Sequence, residues 1–215
     1  MKQAVQRPPR LAALVGLAVL LAASGCASPG PRAARWTPPP VGATWEFDQR
    51  STGSYGRDAL VQVSRGDGTW QGQSVVTLAT SLGTNTQALP NGRWMAITGR
   101  DGQALMSWDP PLGFDYPLEV GKSWVTPYRM TIASGRTIAY DLTCKVESHG
   151  KVTVKAGTFD AFQVACTTTI GNEETYWANP DMGVFVKTRL RRLASSPLGA
   201  GTQESELAAV PAVRR

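Results

Sequence analysis

Few residues in this 215-residue chain could carry chemistry. There is one histidine, His149, so any Ser-His-Asp or Cys-His centre would have to be built on it. It stands beside Gly150 in a predicted loop, and Cys144 and Cys166 are better explained by each other, which argues against such a triad. One histidine cannot make a histidine-rich metal site, no carboxylate run has calcium-loop spacing, and no cofactor is expected. R-G-D-G at 65–68 and G-R-D-G at 99–102 resemble an adhesion tripeptide and a phosphate loop. Neither precedes a predicted helix, so both read as hairpin turns. Acid-base chemistry remains. Asp109, Asp115, Glu119, Glu173 and Glu174 lie near predicted turns, and any two of them about 5 to 10 Å apart could cleave a glycosidic bond.

The elements that would position these groups are strands. Across residues 41–193 no apolar spacing at i, i+3, i+4, i+7 is sustained, whereas period-two alternation recurs and Gly, Asp, Asn and Pro interrupt it. Asp67-Gly68, Asp101-Gly102, Ser134-Gly135, Ala156-Gly157 and Gly171-Asn172 are expected at turns, where positive φ is needed. The fold class is therefore all-β: an antiparallel meander of about ten strands forming a curved sheet, half-barrel or barrel. Tyr140, Leu142, Cys144 and Val146 share one predicted face, as do Phe162, Val164 and Cys166. Lys187, Arg189 and Arg191 oppose Val184, Val186 and Leu190 and read as a solvated outer face rather than an anion site. V-G-x-x-W occurs twice, at 41–45 and 120–124, a weak hint of two halves built alike.

The N-terminus carries an address. Lys2, Arg7 and Arg10 precede a 13-residue apolar run at 11–23, and Ser24 and Gly25 follow it. This is the layout of a secretory signal peptide, and the run is too short to span a bilayer. A polytopic membrane protein is excluded. The segment A-A-S-G-C ending at Cys26 resembles the lipobox of bacterial lipoproteins, with Ala23 where Leu is preferred. The resemblance implies cleavage after residue 25 and acylation of Cys26, and Ala27 resembles the sorting pattern for the outer membrane. Removal of the signal takes the formal net charge from +6 to about +3, so no nucleic-acid partner is expected. Residues 26–40 read as the lipidated cysteine and a Pro-rich tether reaching up to about 40 Å. Residues 194–215 read as a flexible tail. In a disulfide-permitting compartment the two remaining cysteines, Cys144 and Cys166, are expected to pair. A turn centred on Ala156-Gly157 would misalign them unless about three residues, Ser148 to Gly150, leave the ladder.

The segments V-T-V-K-A-G-T-F-D-A-F-Q-V at 152–164 and Y-W-A-N-P-D-M-G-V-F-V-K at 176–187 resemble signatures of uncharacterised bacterial secreted and lipoprotein β domains. P-L-E-V-G-K-S-W at 117–124 fits the same pattern, while Lys155 stands where proline is usual. That family implies a curved antiparallel sheet in the cell envelope and brings no catalytic residues. Seven tryptophans are many for this length and suit an aromatic binding face. Residues 108–118, W-D-P-P-L-G-F-D-Y-P-L, form the longest irregular apolar stretch, and Trp108, Phe114 and Tyr116 are the candidate ligand-binding lip. The expectation is a non-catalytic, lipid-anchored protein at the outer membrane, facing the periplasm, that binds an apolar or envelope ligand. The alternatives are a structural partner in an envelope complex and a carboxylate-based glycoside hydrolase.

Overall fold

The computed structural model describes residues 30–211. Cys26 and the apolar run before it lie outside them. The strands are β1 (Arg32–Ala33), β2 (Thr44–Gly53), β3 (Ala59–Trp70), β4 (Gln73–Thr80), β5 (Asn85–Ala88), β6 (Trp94–Thr98), β7 (Ala104–Leu112), β8 (Leu118–Glu119), β9 (Ser123–Ile132), β10 (Thr137–Val154), β11 (Gly157–Thr168), β12 (Asn172–Asn179), β13 (Val184–Arg192) and β14 (Gly201–Ala209). Twelve of them close an antiparallel barrel in the order β10-β11-β12-β13-β14-β2-β3-β4-β5-β6-β7-β9, and β1 pairs with β8 outside it. The all-β meander is thus observed, with more strands than the expected ten. Each V-G-x-x-W motif opens a six-stranded half, β2 to β7 and β9 to β14.

Alternation places the core as expected in β10 and β11. Leu142, Cys144, Val146, Phe162, Val164 and Cys166 are buried in one cluster with Leu118, Tyr128 and Met130. A second cluster holds Trp45, Val154, Ala161, Val186 and Leu207. The basic stripe on β13 is an outer face whose charges are met by neighbouring strands: Lys187 pairs with Glu206, Arg189 with Glu204 at 2.7 Å and Arg191 with Glu173 at 3.0 Å.

Four expectations are corrected. Residues 201–209 are not a tail: β14 hydrogen-bonds to both β13 and β2, and Leu207 is fully buried. The chain needs this strand because without it β2 and β13 would face each other as open edges. The Pro-rich segment is not a free tether from residue 32 onward, since β1 registers Arg32 against Glu119 and Pro39 is buried. Asp67-Gly68 lies inside β3, whose ladder continues to Trp70 opposite Gln73, and the turn falls on Gln71 and Gly72 with φ of 46° and 78°. His149 is not in a loop: it pairs with Phe162 in the β10–β11 ladder.

The cysteines are disulfide-bonded, directly opposite each other with Cα atoms 4.1 Å apart. Only one residue leaves the ladder, between Val146 and Ser148, not three. The reason is the turn. Val154 pairs with Gly157, so the turn residues are Lys155 and Ala156, and a single bulge corrects the register.

The bond closes a loop with a sequence separation of 22. Reduction should lower the unfolding free energy in urea by about 3 kcal/mol, the loop-closure value for that length. An unchanged urea midpoint would show that the bond adds nothing to stability.

Candidate functional site

Register fixes what faces the barrel interior. Cross-strand pairing runs from Glu174 through Leu190 and Gln203 to Ser51, and one row further along from Tyr176 through Thr188 and Ser205 to Gln49. These rows lie toward the barrel end where the β2–β3 and β13–β14 connections meet. There Arg192 stacks on Tyr55 at 4.0 Å and donates to Ser54 Oγ at 3.2 Å, and Ser54 Oγ donates to the Gly199 carbonyl at 2.7 Å. Toward the opposite end the wall turns apolar, with Phe47, Val61, Ala178 and Val184. A cavity of about 310 Å³ runs between the two zones, lined by all of these residues except Leu190 and Ser51 in the first row.

The segment after β7 folds into the apolar end. Phe114 meets Tyr176 edge-on with ring centroids 5.5 Å apart and Phe185 at 5.8 Å, and Trp124 backs it at 6.1 Å. Lys122 pins this segment, reaching the Asp115 carboxylate at 2.9 Å and the Pro117 carbonyl at 3.0 Å. Phe114 and Tyr116 line the cavity, whereas Trp108 does not: it packs against the first core cluster from β7. Alternation along β7 puts Trp108 on the inner side of the wall, while the aromatic residues beyond the strand are free to form the end of the cavity.

Residues 34–40 cross the same end. Trp36 Nε1 donates to the Gly183 carbonyl at 3.0 Å, and the Thr37 amide donates to the Pro180 carbonyl at 2.9 Å. Two glycines make room for this arm. A Cβ at Gly92 would sit 2.7 Å from the Trp36 ring, and one at Gly183 would run into the Thr37 carbonyl. Both glycines hold positive φ, so each position excludes a side chain on conformational as well as steric grounds. Trp36 is itself part of the cavity wall, a role hidden when residues 26–40 are read as a tether.

The candidate carboxylates are not brought together. Glu119 pairs with Arg32 at 2.6 Å, Asp115 with Lys122, and Glu173 with Arg191 on the outer face, while Asp109 sits opposite Arg129 at the end of β7. Glu174 is the one carboxylate among the described residues lining the cavity, so a two-carboxylate hydrolase has no second group there. The Tyr176 hydroxyl donates to Glu174 Oε2 at 2.6 Å. Burial pushes the Glu174 carboxyl above the ordinary glutamate range, against the opposing pull of the Tyr176 hydrogen bond and of Arg192. Burial and the neighbouring Glu174 likewise push the Tyr176 hydroxyl well up, so it acts as a hydrogen-bond donor throughout the ordinary pH range. His149 packs at a tilt against Phe162, ring centroids 4.4 Å apart, and neither described cysteine can serve it as a nucleophile, since the two are bonded to each other.

The chain matches no protein-family model and no curated protein. It is similar to solved structures of three bacterial proteins. A Bacteroides fragilis protein described as exported and of YmcC-like fold is 13% identical, with 82% of this chain and 99% of that chain covered and a TM-score of 0.45. A Parabacteroides distasonis protein described as a lipoprotein is 11% identical, with 83% and 99% covered and a TM-score of 0.41. The hypothetical lipoprotein YmcC of Escherichia coli is 14% identical, with 80% and 89% covered and a TM-score of 0.45.

Glu174 makes a pH-dependent contribution whose sign follows from its raised pKa. Between the unfolded and folded pKa values the folded chain holds the proton more tightly, so stability falls as pH rises through that window and levels off above it. Substitution Glu174→Gln should remove this component. Urea unfolding of both proteins from about pH 4 to 8 measures it: the wild type should lose stability relative to the variant as pH rises, and a pH-independent difference would contradict the assignment.

Proposed function

We propose that this protein is a lipid-anchored protein of the cell envelope that holds an apolar ligand, without catalysis, in the lumen of its barrel. The observation that supports this most directly is the axial cavity of about 310 Å³, walled largely by Phe47, Val61, Leu78, Trp94, Phe114 and Phe185. That volume falls at the small end of the range for small-molecule sites, about 300 to 1,000 Å³. The strands from β10 to β14 carry charged, paired residues outward, where a membrane-spanning barrel presents an apolar band. Closure also leaves the twelve-stranded sheet no free edge for strand addition, which removes the simplest mode of the assembly-partner alternative.

The anchor in this reading is acylated Cys26, at the outer membrane and facing the periplasm. Because the arm docks from Arg32, only six residue steps separate it from Cys26, a reach of at most about 22 Å. The barrel would then stand close to the lipid surface, with the end crossed by Trp36 on the anchored side.

Two experiments test the proposal. Residues 27–215, which contain every strand of the barrel, should bind an environment-sensitive apolar dye with a stoichiometry of one. Leu78→Trp, which fills the cavity, should weaken that binding at least tenfold while the urea midpoint shows the variant is folded. Native mass spectrometry of the same protein should show a co-purifying mass that denaturation removes. A bare monomer that takes up no dye would overturn the ligand reading. For the anchor, the full chain should incorporate labelled palmitate and sediment with membranes, and Cys26→Ser should lose the label; an unlabelled wild type would refute lipidation.

A further inference from the structure

Resting on the ligand reading above, we infer that the lumen selects a single-chain amphiphile whose polar end is an uncharged, hydroxyl-bearing group seated on the floor made by Glu174, Gln203, Gln49, Thr188 and Ser205. The cavity is polarised along the barrel axis. The two cross-strand rows described above place carboxyl, amide and hydroxyl groups at one end. Beyond them the wall is mainly apolar up to Phe114 and Trp36, where Thr80 and Asn179 are hydrogen-bonded within the wall and Thr86 adds one further hydroxyl. A ligand apolar throughout would leave the Gln49 and Gln203 carbonyl oxygens and the Thr188 and Ser205 hydroxyls unmatched, at a cost comparable to an unmade buried hydrogen bond for each. A ligand with a polar end satisfies them and lays its chain along the apolar wall.

The floor also constrains the charge of that end. No Lys, Arg or His lines the cavity among the described residues, so an anionic head would be buried without a counter-ion and beside Glu174. Arg192, the nearest cation of the floor, does not line the cavity: it stacks on Tyr55 and donates through Nη1 to Ser54, while its Nε is buried without a partner. A cationic head would have one carboxyl to meet, and that carboxyl already accepts from Tyr176 and lies in the field of Arg192. The remaining groups favour donors that are also acceptors. The amide nitrogens of Gln49 and Gln203 both turn to Ser51 Oγ, at 3.3 and 3.4 Å, so each presents its carbonyl oxygen as a free acceptor, next to the hydroxyls of Thr188 and Ser205. Hydroxyl groups match this set because each can donate to an amide or carboxyl oxygen and accept from a side-chain hydroxyl.

The test compares three probes of equal chain length, monolaurin, laurate and dodecylamine, as competitors of the apolar dye on residues 27–215 at neutral pH. Monolaurin should bind at least tenfold more tightly than either charged probe, the discrimination expected when one buried group is left unmatched. Glu174→Leu and Gln203→Leu, checked for folding by their urea midpoints, should each weaken monolaurin about tenfold while dye affinity stays within about twofold. Tighter binding of laurate or dodecylamine, equal binding of all three, or monolaurin affinity indifferent to both substitutions would overturn this inference and leave the ligand reading intact. Failure of the dye and of every probe to bind would overturn both.

Discussion

The seam between β14 and β2 is the constraint on which the rest of this structure depends. Eight register pairs join Gly201–Ala209 to the first long strand, and with them a twelve-stranded sheet has no ends. A barrel of eight strands is about wide enough for side chains to fill, and the diameter grows with strand number, so twelve strands enclose more space than wall residues can occupy. Two devices deal with the surplus. The aromatic segment after β7 folds inward at one end, held by Lys122, and the connections around Tyr55 and Arg192 tie the other. What neither fills is the cavity.

Polarity is distributed accordingly. The outward positions of the C-terminal half carry alternating charges that pair across strands, contacts individually worth about 1 kcal/mol or less at an exposed surface. Stability therefore rests on the two buried clusters, one built around the disulfide of the β10–β11 hairpin and the other where Val154 and Ala161 near its turn meet Trp45, Val186 and Leu207 of β2, β13 and β14. The inner rows next to the seam are polar although they face inward. That exception to the usual rule marks where burial has been given up in favour of hydrogen-bonding capacity.

The same exception explains which parts of the fold were legible in the sequence. In β10 the inward set Tyr140, Leu142, Cys144 and Val146 alternates against polar neighbours, because that face packs mostly against the first core cluster. In β14 the inward set is Gln203, Ser205 and Leu207, so period-two alternation carries one apolar residue and the stretch resembles a solvated tail. The strand exists because its neighbours need it, which local propensity does not record. The arm was obscured for a related reason. Its prolines read as an extended tether, and its docking depends on Gly92 and Gly183, more than fifty residues away, being free of side chains. Of the cavity, Phe114 and Tyr116 could be singled out because they stand in an irregular apolar stretch, and Trp108 was misplaced because it belongs to the strand preceding that stretch. The polar floor gave no signal, since glutamine, serine and threonine on a strand look the same facing water as facing a lumen.

A seam made by the first and last strands of the barrel also orders events in time. Most ladders here join neighbours along the chain and can form as soon as both strands are available, with β10 and β11 the longest of them. Pairing between residues 44–53 and 201–209 must instead wait until both strands and the ladders that bring them together are present. Until then the sheet is an open ribbon with two unsatisfied edges. The barrel cannot close prematurely on a partial chain, so a polypeptide still being delivered from its N-terminus remains open until its last strand arrives.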